Sequence, residues 1–131
     1  MEDRVSPSEQ RVVRAGTLVL QTSRDGDTLT IGLRGELDLA NADALKAELD
    51  EALGDGACGI VVDMAELTFI DSTGIALLVN ALGHDGADGR LRFVPSQAPA
   101  VSRVLKLTGI DERLPFATSS GSGEAGGLGA G

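Results

Sequence analysis

Six residues, Gly59-Ile60-Val61-Val62-Asp63-Met64, constrain the fold of this chain more than any other segment. The run is too short for a helix of ordinary length and is rich in β-branched side chains. It reads as a strand of the kind buried on both faces of a sheet. The core around it is aliphatic by necessity. The chain holds three Phe and no Tyr or Trp, so Leu, Val, Ile and Ala must fill the interior. With 131 residues there is material for one such core and short tails.

The segments on either side alternate in character. Thr17 to Thr22 reads as a strand, Arg24-Asp25-Gly26-Asp27 as a tight turn, and Thr28 to Arg34 as a second strand with Leu29, Ile31 and Leu33 on alternate positions. Asn41 is placed to cap a helix whose stripe is Leu45, Leu49 and Leu53, ending at Gly54. After the apolar run, Ala65 to Asp71 is expected as a loop. Ile75, Leu78, Val79 and Leu82 then follow helical spacing up to Gly83, and Asp85 to Gly89 is a polar turn. Leu91 to Val94 is a strand closed by Pro95. Val101, Val104, Leu105 and Leu107 form a third helical stripe that stops at Gly109, and Ile110 to Phe116 is expected as a last short strand. The expected order is β-β-α-β-α-β-α-β: an α/β fold with a mixed sheet and helices packed on it. The domain is expected over residues 16–117. Residues 1–15 read as a mobile arm, and residues 118–131, dominated by Gly and Ser, as a disordered tail.

Several function classes are disfavoured. A net charge of -9 repels nucleic acid and anionic lipid. The pairs Arg90 with Arg92, and Arg103 with Lys106, read as solvated faces rather than a basic patch. No stretch approaches the ~20 apolar residues that span a bilayer, and the opening MEDRVSPSEQ lacks an apolar signal core. The expected setting is the cytoplasm, with no nucleic-acid or membrane partner. Cys58, the single cysteine, excludes an internal disulfide and reads as a small residue near the core. The single histidine, His84, reads as exposed, and no metal site is expected.

The chemistry concentrates at Leu67-Thr68-Phe69-Ile70-Asp71-Ser72-Thr73-Gly74-Ile75. An apolar run ends in Asp71, and Ser72 opens a helix. A serine there can cap free backbone N–H groups, and the same helix start suits an anion such as a phosphoryl group. A serine hydrolase would want Gly-x-Ser-x-Gly, but position 70 is Ile. A receiver-type aspartate would need further acidic residues and a lysine, and these are not in place. Asp25/Asp27 and Asp85/Asp88 lack calcium-loop spacing.

Phe69 to Ile75, with Val61 to Met64 and Leu67 upstream, resembles the signature of STAS-domain anti-sigma-factor antagonists. Leu33-Arg34-Gly35-Glu36-Leu37-Asp38 resembles the strand end and loop before that family's first helix. Val101 to Ile110 resembles its last helix and glycine stop. The three matches fall in the family's order across roughly residues 17–116. The resemblance implies a STAS-type mixed sheet and a regulatory protein, not an enzyme. It also implies phosphorylation at Ser72, by a partner that is both anti-sigma factor and serine kinase, and a phosphatase that resets the switch. Partner docking would fall to Gly35, Glu36, Leu37 and Asp38 together with Asp71, Ser72, Thr73 and Gly74. Thr73 stands as a second possible acceptor. ATP belongs to the kinase, so no cofactor is assigned to this chain. The same fold would also suit a stand-alone STAS subunit of a transport or lipid-transport assembly.

Overall fold

Among the described residues five strands lie side by side in their sequence order, and that simple order decides where the helices go. The computed structural model describes residues 10–54, 59–85 and 89–117. β1 (Gln10–Ala15), β2 (Leu18–Asp25) and β3 (Thr28–Leu37) form an antiparallel meander. β4 (Gly59–Ile70) then pairs parallel with β3, and β5 (Leu91–Val94) pairs parallel with β4. The parallel pairs are joined by α1 (Ala42–Gly54) and α2 (Ser72–Asp85). Crossovers of this kind are right-handed. Two that advance in one direction across a sheet therefore place their helices on the same face, and α1 and α2 do pack against each other.

This one-sided covering corrects the reading of the 59–64 run. Ile60, Val62 and Met64 are fully buried, whereas Val61 and Asp63 are only partly so. The strand is buried on alternate residues, because among the described residues no second layer of helix closes over the other side. Leu18, Leu20, Ile31 and Leu33 continue the buried face across β2 and β3, and Leu45, Leu49 and Leu78 meet it from the helices. Among the described residues the buried apolar core is aliphatic apart from Met64 and Phe93, both fully buried.

The ends of the chain depart further from expectation. Residues 10–15 are not an arm but strand β1, paired with β2 from Gln10↔Ser23 to Ala15↔Leu18. Its Arg-Val-Val-Arg sequence hid it, since an edge strand has only one pairing partner and tolerates charge. Arg11 earns its place by reaching α1, where it bonds Glu48 and lies 3.8 Å from Glu51. Residues 1–9, Cys58 and 118–131 lie outside the described residues.

Residues 65–70 are not a loop; they carry β4 on alongside β3 through two register shifts, between Gly32 and Arg34 and between Gly35 and Glu36. Gly35 makes this possible. Its φ is 103°, and a Cβ there would sit 2.0 Å from the carbonyl oxygen of Thr17. No other residue fits.

At the C-terminal end, α3 (Pro99–Leu107) buries Val101 and Leu105 but leaves Leu107 at 79% exposure, outside the core. The expected final strand is instead a 3₁₀ turn, Ile110–Glu112, followed by a single bridge between Phe93 and Phe116. Pro115 has no N–H to extend a ladder, though its carbonyl accepts from Phe93 N at 3.0 Å. At the opposite end of α2 from Ser72, the buried Asp85 accepts from Leu91 N at 3.0 Å. It also faces Arg90 Nε at 3.4 Å, which ties the helix end to β5.

Candidate functional site

The parallel pair β3 and β4 ends at Leu37↔Ile70, and both chains turn there: β3 into residues 38–41 before α1, and β4 through Asp71 into α2. The carboxyl edge of a parallel pair is where open α/β sheets place their sites, because the loops that leave it converge. Asp71 stitches the two loops together. Its N–H donates to Leu37 O at 3.2 Å. Its Oδ1 accepts from Gly74 N at 3.0 Å, and its Oδ2 accepts from Leu39 N at 3.2 Å.

The bond to Gly74, three residues on, is an N-cap. The sequence suggested that Ser72 caps α2; in the structure Asp71 does. Ser72 is the first residue inside the helix, one position too far along to cap it, and its side chain is exposed. No hydrogen bond to the Ser72 hydroxyl forms among the described residues. Thr73, next along, is partly buried and lines a shallow groove of about 260 Å3 between α1 and α2 with Ala42, Lys46, Leu77 and His84. The two hydroxyls are therefore not equivalent. Ser72 faces solvent beyond the sheet edge, and Thr73 faces α1.

The loop 38–41 is held just as firmly. Asp38 O accepts from Asn41 N and Ala42 N at 3.1 and 2.9 Å, and Asp38 Oδ1 accepts from Ala40 N at 3.0 Å. Asn41 is 3% exposed, yet its side chain does not cap α1. It turns back instead, accepting from Asp38 N at 3.0 Å through Oδ1 and donating to Glu36 O at 2.9 Å through Nδ2. The polar atoms of the turn thus satisfy one another, as a buried turn requires.

Among the other residues expected at the docking face, Glu36 is exposed and Asp38 partly so, while Gly35 and Leu37 are not available as side-chain contacts. Leu37 is fully buried, and Gly35 shapes the backbone. Gly74 is buried for a related reason. A Cβ there would lie 2.8 Å from Ile70 Cγ1 and 2.9 Å from Leu37 Cγ, so the first turn of α2 rests directly on the strand ends. Two residues that the sequence did not single out as contacts complete the surface: Leu39 is 75% exposed and Phe69 44%. Phe69 stands opposite Glu36 in the β3–β4 register. The arrangement holds no cluster of metal-ligating side chains among the described residues, and none of their helices is long and apolar enough to cross a membrane.

Comparison with known proteins places the chain in one family. Residues 20–116 match the family model described as "Mlab, STAS domain". An anti-sigma F factor antagonist of Paenibacillus polymyxa is 27% identical over 100 residues, covering 76% of this chain and 86% of its own length. The structure of the anti-sigma factor antagonist SpoIIAA in its unphosphorylated form superposes with a TM-score of 0.63 at 25% identity, covering 77% of this chain and 90% of that one. An anti-sigma factor antagonist from Mycobacterium paratuberculosis shares the fold with a TM-score of 0.68 at 22% identity, over 88% of this chain and 92% of that one.

Proposed function

Because the chain belongs to the STAS-domain family, we propose that it is an anti-sigma-factor antagonist whose binding is switched by phosphorylation of Ser72. The observation that carries this reading is the division of labour at the start of α2. Asp71 caps the helix and ties down Leu39, which leaves the Ser72 hydroxyl exposed and uncommitted. A hydroxyl that holds nothing together can be modified without cost to the fold.

In the unphosphorylated state the sheet edge docks on an anti-sigma factor that is also a serine kinase, and the sigma factor is released. The kinase supplies ATP. The Ser72 oxygen attacks the γ-phosphorus, the bond from that phosphorus to the β,γ-bridging oxygen breaks, and ADP leaves; the serine proton passes to a base on the kinase. A phosphatase reverses the state by directing water at the phosphorus, which frees inorganic phosphate and restores the hydroxyl. The phosphorylated product carries about -1.5 to -2 charges at pH 7. It faces the anionic diphosphate it was made from, and this drives separation. Thr73 is a poor alternative acceptor because it lines the groove against α1.

Titration calorimetry against the kinase tests the reading. Ser72→Ala should bind as the unmodified chain does. Ser72→Asp should bind at least about thirtyfold more weakly, as a charge left without a partner at an interface costs several kcal/mol. Equal binding by the two folded variants refutes the switch. A second reading is a non-enzymatic STAS subunit of a transport assembly, favoured by the Mlab description of the family model. It predicts binding to a transport ATPase that is indifferent to the charge at position 72.

A further inference from the structure

A single exposed apolar side chain is ordinary on any protein surface. Two beside one modifiable hydroxyl are not explained by folding. Leu39, at 75% exposure, sits in the loop whose N–H is held by Asp71. Phe69, at 44%, lies two residues before Asp71 on the neighbouring strand end. Neither contributes to the core, and both lie at the carboxyl end of the β3–β4 pair, Phe69 on the sheet face away from the helices because its neighbour Ile70 turns under Gly74.

The charges around them have one sign. From Glu36 to Asp43 and from Thr68 to Thr73 the charged residues are Glu36, Asp38, Asp43 and Asp71. The cations that flank residues 36–43 in sequence are already engaged, Arg34 with Glu66 at 2.9 Å and Lys46 with Asp50 at 2.7 Å. The hydrogen bond to Asp50 and its negative charge hold the Lys46 ammonium above its ordinary pKa, so it stays charged and paired.

We propose that Leu39 and Phe69 are the apolar anchors of the partner contact, received by an apolar socket with a cationic rim on the anti-sigma factor. The proposal rests on the function given above and adds what Ser72 cannot supply. A small hydroxyl reports the state of the switch, but it buries too little surface to hold a complex. Leu39 and Phe69 bury surface, and the acidic rim steers and orients the partner. The bond from Leu39 N to Asp71 Oδ2 fixes the Leu39 loop beside the acceptor, and Phe69 extends the apolar surface round the same strand ends to the open face of the sheet.

The test uses the full chain and each purified serine-kinase anti-sigma factor encoded by the source genome, with ADP for binding and ATP for turnover. Leu39→Ala and Phe69→Ala should each weaken binding at least about tenfold, the scale expected for losing a buried large apolar side chain. They should raise the KM for Ser72 phosphorylation while kcat holds, since the acceptor is untouched. Leu107→Ala is the control: Leu107 is 79% exposed on α3, away from this edge, and should change nothing. Binding by either anchor variant within twofold of the unmodified chain overturns the proposal, as does an equal loss in Leu107→Ala. Self-association of the unmodified chain that disappears in Leu39→Ala would assign the patch to a second copy and also overturn it. Failure of the unmodified chain to bind any of these kinases overturns the parent function, and the anchors with it.

Discussion

Substituting Asp71 should damage stability more than substituting Ser72, and the hydrogen bonds say by how much. Asp71→Ala removes the N-cap on Gly74 and the bond to Leu39 N. A lost cap costs about 1 kcal/mol, and a hydrogen bond to a carboxylate at a partly exposed position adds about 1 kcal/mol more. A loss of about 2 kcal/mol lowers the thermal midpoint of a domain this size by roughly 8–16 °C. Asp71→Asn separates the two contributions. The amide oxygen still caps Gly74, but the amide nitrogen offers a donor where Leu39 N needs an acceptor, so about half the loss remains. Ser72→Ala breaks no hydrogen bond among the described residues and gains a few tenths of a kcal/mol in helix propensity. Its midpoint should match or slightly exceed that of the unmodified chain. Circular dichroism melts of the four proteins in one buffer, with two-state behaviour checked, measure all of this. The reverse order, with Ser72→Ala losing more than about 1 kcal/mol and Asp71→Ala almost nothing, would refute the assignment of the cap.

Two further substitutions probe the frame around the site. Gly74→Ala drives a Cβ against Ile70 and Leu37 at 2.8–3.0 Å; it should cost about 1–3 kcal/mol in denaturant titration and slow Ser72 phosphorylation, because the first turn of α2 must lift off the strand ends. Asp85→Ala leaves the buried Leu91 N without this acceptor and removes the carboxylate that faces Arg90 Nε; urea unfolding should show a loss of about 1–3 kcal/mol with no change in kinase affinity, since the lock lies at the far end of α2.

The hydrophobic pattern made the middle of the chain readable and failed at its margins for definite reasons. The stripe Leu45, Leu49, Leu53 and the run Ile60, Val62, Met64 repeat at the periods of a helix and a strand, and both elements formed. β1 has no such period, because an edge strand that is mostly exposed takes its stability from the ladder to β2 and from Arg11 on α1, both remote in sequence. The sequence pointed to Asp71-Ser72-Thr73-Gly74 as the start of a helix, and α2 does start there, but the capping role within it was misplaced. Asp and Ser are both good caps, and a one-residue difference in where α2 begins decides which of them caps and which is left free. Asn41 shows the same ambiguity: it precedes α1 as a cap would, yet spends its amide on Glu36 and Asp38. The exposure of Leu39 follows from the direction of a turn that those bonds set, and hydropathy alone carries no trace of it.

Under the proposed switch, the separation of roles between neighbours would suit this edge to a reversible signal. If Ser72 were the cap, each phosphorylation would cost the helix its first hydrogen bond, and the modified protein would be both altered and weakened. With Asp71 in that role, a phosphoryl group on Ser72 meets two opposed local effects. The positive end of the α2 dipole favours it by about 0.3–1 kcal/mol, and the adjacent Asp71 carboxylate opposes it by a similar amount at an exposed position. The two nearly cancel in the free protein. In the proposed complex with the kinase they would not cancel, because water would be excluded, the screening that softened the charge lost, and the nucleotide phosphates set opposite. On that proposal the free energy of modification would be felt at the interface rather than in the fold. This requires the free phosphorylated and unphosphorylated chains to unfold at nearly the same temperature while differing in affinity by orders of magnitude.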